Sequence, residues 1–236
     1  DFVSRGVTLG AAHCGFDVGR YRGDYETTHA ELCQEMAWDE SAKVMLFVGR
    51  LEGSAVVHMG REMTHKNPAL ALEIARQCVA RDDRVHLLMV GSGEKTRRDF
   101  EAKVREWGLA ETIRFLGIRS DVPRLMCGAN LLLFPSLAEG LGMVVVEAQA
   151  AGLPVLAADT TPGECVVVPD MVEFFSLDAS PDQWAEKAIQ LINLERPTPS
   201  ACGAAVQSSP FSIENSAAQL CALYAGLTSW PPLSER

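Results

Sequence analysis

Residues 134–152, FPSLAEGLGMVVVEAQAAG, hold the densest concentration of groups able to do chemistry. An apolar run ends in Pro-Ser, a turn with two glycines follows, and a helical pattern begins. The first N–H groups of a helix lack intrahelical partners and carry partial positive charge, so such an end attracts phosphate. Gly140 and Gly142 let a ligand approach the backbone, with Leu141 between them and Ser136 at the start of the turn. Glu139 lies on the turn itself. Glu147 lies five residues beyond Gly142, roughly 7.5 Å along the helix at about 1.5 Å per residue. A diphosphate on the helix end would have a sugar on one side, within reach of Glu139, and a ribose on the other, within reach of Glu147. Glycines and glutamates are also common in β-α turns, so the segment taken alone reads equally well as a structural turn.

The surrounding pattern supplies the elements that must position these groups. Residues 44–49 (VMLFVG), 85–91 (VHLLMVG), 113–116 (IRFL) and 130–134 (NLLLF) are short apolar runs that read as buried strands, with 154–158 and 172–176 completing the set. Between them lie helical segments. Asn67-Pro68 predicts an N-cap followed by Pro at the first helical position, with Leu70, Ile74 and Cys78 at four-residue spacing behind it. Phe100, Val104 and Trp107 mark another helix, which Gly108 is placed to end. Asp121 with Pro123 predicts a short capped helix, and 143–151 and 181–194 predict two more. Strands alternating with helices define an α/β class with a Rossmann-like parallel sheet covered by helices on both faces. Such sheets bind ligands at the carboxyl ends of their strands, which directs attention to the turns after Gly49, Gly91, Gly117 and Ser136. Residues 1–23 read as a Gly-rich linker and 195–210 as a loose Pro/Ser/Ala-rich connector, followed by helical spacing from Ile213 to Leu227.

Composition narrows the function classes. The chain has 236 residues, 47% of them hydrophobic, which suits one sizeable core. The net charge of -10 and the lack of any Lys/Arg run argue against nucleic acid as a partner. An anionic ligand would have to be held by a few local cations against this field. The seven cysteines are irregularly spaced without a C-x-x-C, so neither a disulfide framework nor a zinc site is expected, and a reducing, cytoplasmic compartment fits. No stretch approaches a membrane span. There is no D-x-D metal motif, no G-x-G-x-x-G and no P-loop. His65 stands near the predicted anion site, while His29 and His86 are expected in a helix and a strand and His58 in an inserted segment.

At this point the residues resemble a family. The EGLGMVVVE segment, with Glu139 and Glu147 flanking seven residues, is similar to the E-x7-E motif of retaining GT-B glycosyltransferases (glycosyltransferase family four). FVGRL at 47–51, LLMVGSGE at 87–94 and the whole of 113–159 follow in the family's order, and HCGFDVGRY at 13–21 resembles its interdomain segment. The segments at 147–164 and 166–177 look most like its exopolysaccharide and capsule branch. The resemblance implies that the chain is the C-terminal, donor-binding half of a GT-B fold. Residues 1–42 would lead in, 43–195 would form the nucleotide-sugar domain, and 196–236 would return toward an N-terminal domain. It implies Arg50 and Lys66 as cations for the donor diphosphate, with backbone groups of Gly140, Leu141 and Gly142. Glu139 would hold the sugar and Glu147 the ribose, while Gly49, Gly91, Ile118, Arg119 and Ser136 would border the donor. No cofactor and no metal are implied. The partners would be a nucleoside-diphosphate sugar, a sugar or lipid-linked acceptor and the N-terminal domain, with peripheral membrane contact through that other half.

The sequence departs from the family in one place. Fourteen residues, 52–65 (EGSAVVHMGREMTH), separate Gly-Arg-Leu from Lys66 where the family has a short gap. If this insertion displaces Lys66, Arg61 is the alternative cation. Two other readings stand beside the transferase. A glycosidase would use the two glutamates as acid and base, and a binding module would hold the donor without transferring its sugar. The isolated chain is expected to self-associate through an apolar face on its last helix.

Overall fold

The computed structural model describes residues 13–52, 55–58, 61–194, 196 and 198–225. Six strands form one wholly parallel sheet: β1 (Lys43–Val48), β4 (Val85–Val90), β5 (Ile113–Gly117), β6 (Leu131–Phe134), β7 (Val155–Ala158) and β8 (Val172–Phe175). Their spatial order is β5-β4-β1-β6-β7-β8. Counting only strands of this sheet, that is 3-2-1-4-5-6, the doubly wound order with its switch point between the first and fourth strands. β2 (Ala55–His58) and β3 (Arg61–Thr64) pair only with each other, antiparallel.

The sheet is buried on both faces because its strands are apolar at consecutive positions, and successive side chains enter two different cores. Val44, Leu46, Leu88, Leu132, Phe134, Val155 and Ala157 face one layer. That layer is built from α1 (Tyr25–Met36), α4 (Val122–Gly128), α5 (Met143–Ala150) and α7 (Pro199–Ser208). Met45, Phe47, Leu87, Met89, Leu131, Leu133, Leu156 and Ala158 face the other. It is built from α2 (Pro68–Arg81), α3 (Glu94–Glu106) and α6 (Pro181–Ile192). Trp184 on α6 fills that second core and donates its indole N–H to the Ser176 carbonyl at 2.9 Å.

Several expectations need correction. The stretch 195–210 is not a loose connector, since α7 occupies most of it, with Pro199 in its first turn. Its small residues let α7 approach α5 closely: a Cβ on Gly203 would lie 3.4 Å from the Ala150 carbonyl oxygen. The described part of the leading segment is packed rather than linker-like. A 3-10 turn (Val18–Tyr21) buries Val18 and Tyr21 in the first core. Helix α1 shows no clear apolar stripe in the sequence, because its buried set includes Thr28 and His29 beside Leu32, Cys33 and Met36. It is capped at its start by Asp24, which accepts the Thr27 N–H. Asn67 and Asp121 stand at the N-cap positions expected of them but make no side-chain cap bond. Asn67 is left-handed, at φ 50°, and the Asp121 carboxylate is drawn instead to Arg119 and Arg124. Gly108, at φ 73°, follows the last turn of α3 as expected. The final helix is α8 (Ile213–Tyr224), with Ile213, Leu220 and Tyr224 exposed along it; Leu227 lies outside the described residues.

Candidate active site

The switch point lies at the carboxyl ends of β1 and β6, and several of the sequence-nominated groups follow these two strands. After β1 come Gly49 and Arg50; after β6 come Ser136, Glu139 and the start of α5. Gly91 is dictated by close approach, and Gly49 lies tight against Lys66. Gly91 has φ 148°, and a Cβ there would stand 1.8 Å from the Gly49 carbonyl oxygen. A Cβ on Gly49 would stand 3.0 Å from Cγ of Lys66. Backbone bonds stitch these turns together: Gly49 N–H to Val90 O at 2.9 Å, Gly91 N–H to Gly117 O at 2.8 Å and Leu51 N–H to Ser92 O at 2.8 Å.

Lys66 is not displaced by the insertion. The insertion forms the β2-β3 hairpin, whose antiparallel pairing of Ala55 with Thr64 brings the chain back to where it left. The Lys66 ammonium donates to Oε1 of Glu139 at 2.5 Å and sits 4.9 Å from the centre of the Phe134 ring. The Ser136 hydroxyl lies 2.5 Å from the same Glu139 oxygen and 2.9 Å from the His65 carbonyl, one hydrogen between two acceptors. Leu137 N–H also binds the His65 carbonyl, at 2.7 Å, and the Thr160 hydroxyl binds the Ser136 carbonyl at 2.6 Å. His65 thus enters through its backbone. Arg50 is exposed and has no ion-pair partner among the described residues. Nothing is described of the Arg61 side chain, so that alternative lies outside the described residues.

The start of α5 has the features of an anion site. Gly142 takes the N-cap position at φ 83°, with no side chain capping the helix; the Val145 N–H binds the Gly142 carbonyl at 2.8 Å, and the N–H groups of Met143 and Val144 are left for a ligand. Around Gly140 there is open space where a Cβ would be. Glu147 is half-buried on α5, with the Tyr21 phenol near it. Burial pushes the Glu147 carboxyl above its ordinary range, against the opposing influence of the Tyr21 hydroxyl and the charge of Arg20. Burial and the neighbouring Glu147 charge push the Tyr21 phenol up, so it stays a donor.

The remaining nominees lie at the carboxyl end of β5. Ile118 is 82% exposed. The Arg119 guanidinium is committed to Asp121, at 2.7 and 2.8 Å, and to Glu35 of α1 at 3.0 Å. It latches α1 to α4 rather than projecting free. Sequence reasoning missed Tyr21 as a neighbour of Glu147 and Thr160 as a support of Ser136. Both pairings join positions far apart in the chain, and only the topology makes them neighbours. Among the described residues no group of three His, Cys, Asp or Glu is placed to hold a metal ion. All seven cysteines are free. No helix among the described residues is long and apolar enough to cross a membrane.

A doubly wound parallel sheet covered by helices on both faces is the Rossmann-like architecture of the GT-B glycosyltransferases. The chain belongs to the glycosyl transferases group 1 family, whose model matches residues 30–208. It is 30% identical over 218 residues, 89% of this chain, to D-inositol 3-phosphate glycosyltransferase of Segniliparus rotundus, and covers 45% of that protein. Over a shorter stretch of 73 residues, 31% of this chain and 20% of the relative, it is 41% identical to lipopolysaccharide glucosyltransferase WaaG of Escherichia coli K12. Among solved structures, Anabaena HepE in complex with UDP and glucose superposes with a TM-score of 0.68 at 21% identity, covering 90% of this chain and 56% of that one. A glycosyltransferase from Rickettsia africae gives a TM-score of 0.72 at 16% identity, covering 91% of this chain and 56% of that one. The chain spans about half the length of the relatives it matches at greatest length.

Proposed function

We propose that this chain supplies the donor site of a retaining glycosyltransferase that moves a sugar from a nucleoside diphosphate to an acceptor in polysaccharide or glycoconjugate synthesis. The observation that carries the reading is the contact of Lys66 with Glu139 on the turn that leads into the uncapped start of α5, at the carboxyl end of β6. As the bond between sugar and diphosphate breaks, negative charge grows on the departing phosphate. Fixed cations and helix N–H groups aimed at that charge stabilise it more in the transition state than in the ground state. Lys66 is now paired with Glu139, and a bound diphosphate would share it. Glu139 would then turn its oxygens to sugar hydroxyls, and Glu147 would accept from the ribose diol. In this reading the two carboxylates bind rather than act as acid and base, so no water is activated and glycosides are not hydrolysed. Diphosphate neutralisation falls to the chain's own groups, which makes the reaction independent of added metal.

Retention and the capsule-type branch rest on the E-x7-E pattern and the resemblance around it. UDP is the first nucleotide to test, since HepE is solved with UDP and glucose. Because the relatives are about twice as long, we place the acceptor on a further domain; the chain alone would then bind donor without transferring it. Calorimetric titration with UDP, GDP and ADP, each in magnesium and in EDTA, tests the proposal. Saturable binding of one nucleotide, unchanged by EDTA, is expected, with Arg50→Ala weakening it tenfold or more, about 1.4 kcal/mol. A folded chain that binds none of the three, or binds only with metal, refutes it.

A further inference from the structure

Ser136 is 0% exposed, so its hydroxyl meets protein groups rather than solvent. Three acceptors face it: Oε1 of Glu139 at 2.5 Å, the His65 carbonyl at 2.9 Å and the Ala138 carbonyl at 3.5 Å. The hydroxyl has one hydrogen to give. The carboxylate is the nearest of the three and carries the charge, and a hydrogen bond to a charged oxygen is roughly twice as strong as one to a neutral oxygen. The His65 carbonyl can do without the hydroxyl, since the Leu137 N–H binds it at 2.7 Å. The hydroxyl is also fixed where it stands. Ser136 is held on one side by the Thr160 hydroxyl, 2.6 Å from the Ser136 carbonyl, and on the other by that bond from Leu137 to the residue before Lys66. The Lys66 ammonium reaches the same glutamate oxygen, Oε1, at 2.5 Å. Both donors therefore meet Glu139 on one oxygen of its carboxylate.

We propose that Ser136 is a positioning residue for Glu139: its hydroxyl anchors Oε1, so that the carboxylate keeps its place when the donor diphosphate draws Lys66 away and its free lone pairs meet hydroxyls of the transferred sugar. The inference rests on the reading of Glu139 as the sugar carboxylate and of Lys66 as a diphosphate cation. A carboxylate has about four lone-pair sites. In the free chain Lys66 and Ser136 both bind Oε1. With Lys66 on the diphosphate, the bond from Ser136 still ties the glutamate to the end of β6. An untethered glutamate loses rotamer freedom when it meets the sugar, and prior restraint removes that cost. Ser136 thus acts on recognition of the sugar and not on recognition of the nucleotide.

The test uses the whole chain. In the free protein with 13C-labelled glutamate carboxyls, the Glu139 resonance, assigned by its loss in Glu139→Gln, should move in Ser136→Ala. That variant should fold, because the His65 carbonyl keeps its bond from Leu137. Calorimetry then measures how much tighter or weaker each sugar nucleotide binds than its parent nucleotide, using UDP-glucose with UDP, GDP-mannose with GDP and ADP-glucose with ADP. For the nucleotide that binds, Glu139→Ala should lower this affinity ratio. Ser136→Ala should lower it by about threefold or more and leave the affinity for the bare nucleotide unchanged. The double variant should lower it no further than Glu139→Ala alone. An unmoved Glu139 resonance in Ser136→Ala overturns the anchor, whether or not a nucleotide binds. A wild-type ratio in Ser136→Ala, where Glu139→Ala lowers it, overturns the positioning role alone. So does an equal loss of affinity for bare and sugar-bearing nucleotide, the mark of structural support only. A ratio unmoved by Glu139→Ala overturns the sugar reading of Glu139, and the role of Ser136 with it. Binding of none of these ligands overturns the donor site itself.

Discussion

Replacing Lys66 with methionine isolates the contact on which the site depends. Its ammonium and the Glu139 carboxylate lie 2.5 Å apart, with side-chain exposures of 24% and 10%. Unit charges about 4 Å apart attract by about 4 kcal/mol at an effective dielectric of about 20. Desolvation and side-chain ordering return most of that, leaving a net of roughly 1–2 kcal/mol for a pair buried to this degree. Removing one partner costs more than the pair is worth, because Glu139 would keep its charge with only the Ser136 hydroxyl beside it. Lys66→Met is therefore expected to destabilise by about 3 kcal/mol. For a chain of this size that is a fall in Tm of about 6–12 °C. Glu139→Gln leaves an ammonium that water can reach and should cost about 1 kcal/mol. The double variant should cost less than the sum by roughly 1–2 kcal/mol, read from urea melts of the four proteins. Costs that add within about 0.4 kcal/mol would show that the two groups do not interact in solution, and would refute the picture of Lys66 delivered to the site by the hairpin.

Gly91→Ala, which drives a Cβ to 1.8 Å from a backbone oxygen, should destabilise by about 3 kcal/mol or more. Gly140→Ala, facing open space, should stay within about 0.5 kcal/mol of wild type; urea midpoints compare the two. Arg196 is half-buried and donates to the carbonyls of Cys127, Ala129, Ala151 and Gly152 at the ends of α4 and α5, with the Tyr25 ring centre 4.5 Å away. Arg196→Met should leave those carbonyls unpaired and cost about 3 kcal/mol by thermal melting. The hydrogen bond from Arg119 holds Asp121 well below the usual carboxylate range, and Glu35, despite burial that opposes it, is held down by Arg124 and Arg119. Depressed folded-state values mean that this stability is complete above the unfolded carboxylate range, near about pH 4, and is lost as pH falls below it. Wild type should therefore lose Tm between about pH 4 and 2 more steeply than Asp121→Asn, and equal slopes would remove the network from that role.

How much of this was legible in the sequence depends on how local the signal is. Strands such as 44–49 and 85–91 are continuous apolar runs closed by glycine, and their positions came out within a residue. The turn from Ser136 to Gly142 is likewise a local pattern. Helix α1 was legible only as a helix around His29 and not in its extent, because its buried face includes Thr28 and His29, the latter accommodated by a ring nitrogen 2.7 Å from the Gly128 carbonyl. Helix α7 was hidden by Ser, Gly and Pro, which signal loops in isolation but here give the small surface that packs on α5. The hairpin in 52–65 could be seen as extra length but not as a closed excursion, since only its pairing returns Lys66 to Gly49. Arg119 was placed beside the donor by resemblance; its engagement by Glu35, 84 positions away, needs the fold.

The most direct measurement of the central claim is amide chemical-shift mapping of the 15N-labelled chain during titration with UDP. The account predicts that the largest shifts fall on Gly49, Arg50, Gly91 and Gly140, Leu141 and Gly142, with Glu147 among them. They should be absent from the cavity of about 650 Å³ between Arg22–Asp24 and α7, lined by Pro199, Gly203 and Gln207. Saturable shifts centred on that cavity, with the start of α5 unmoved, would contradict the placement of the diphosphate at the switch point.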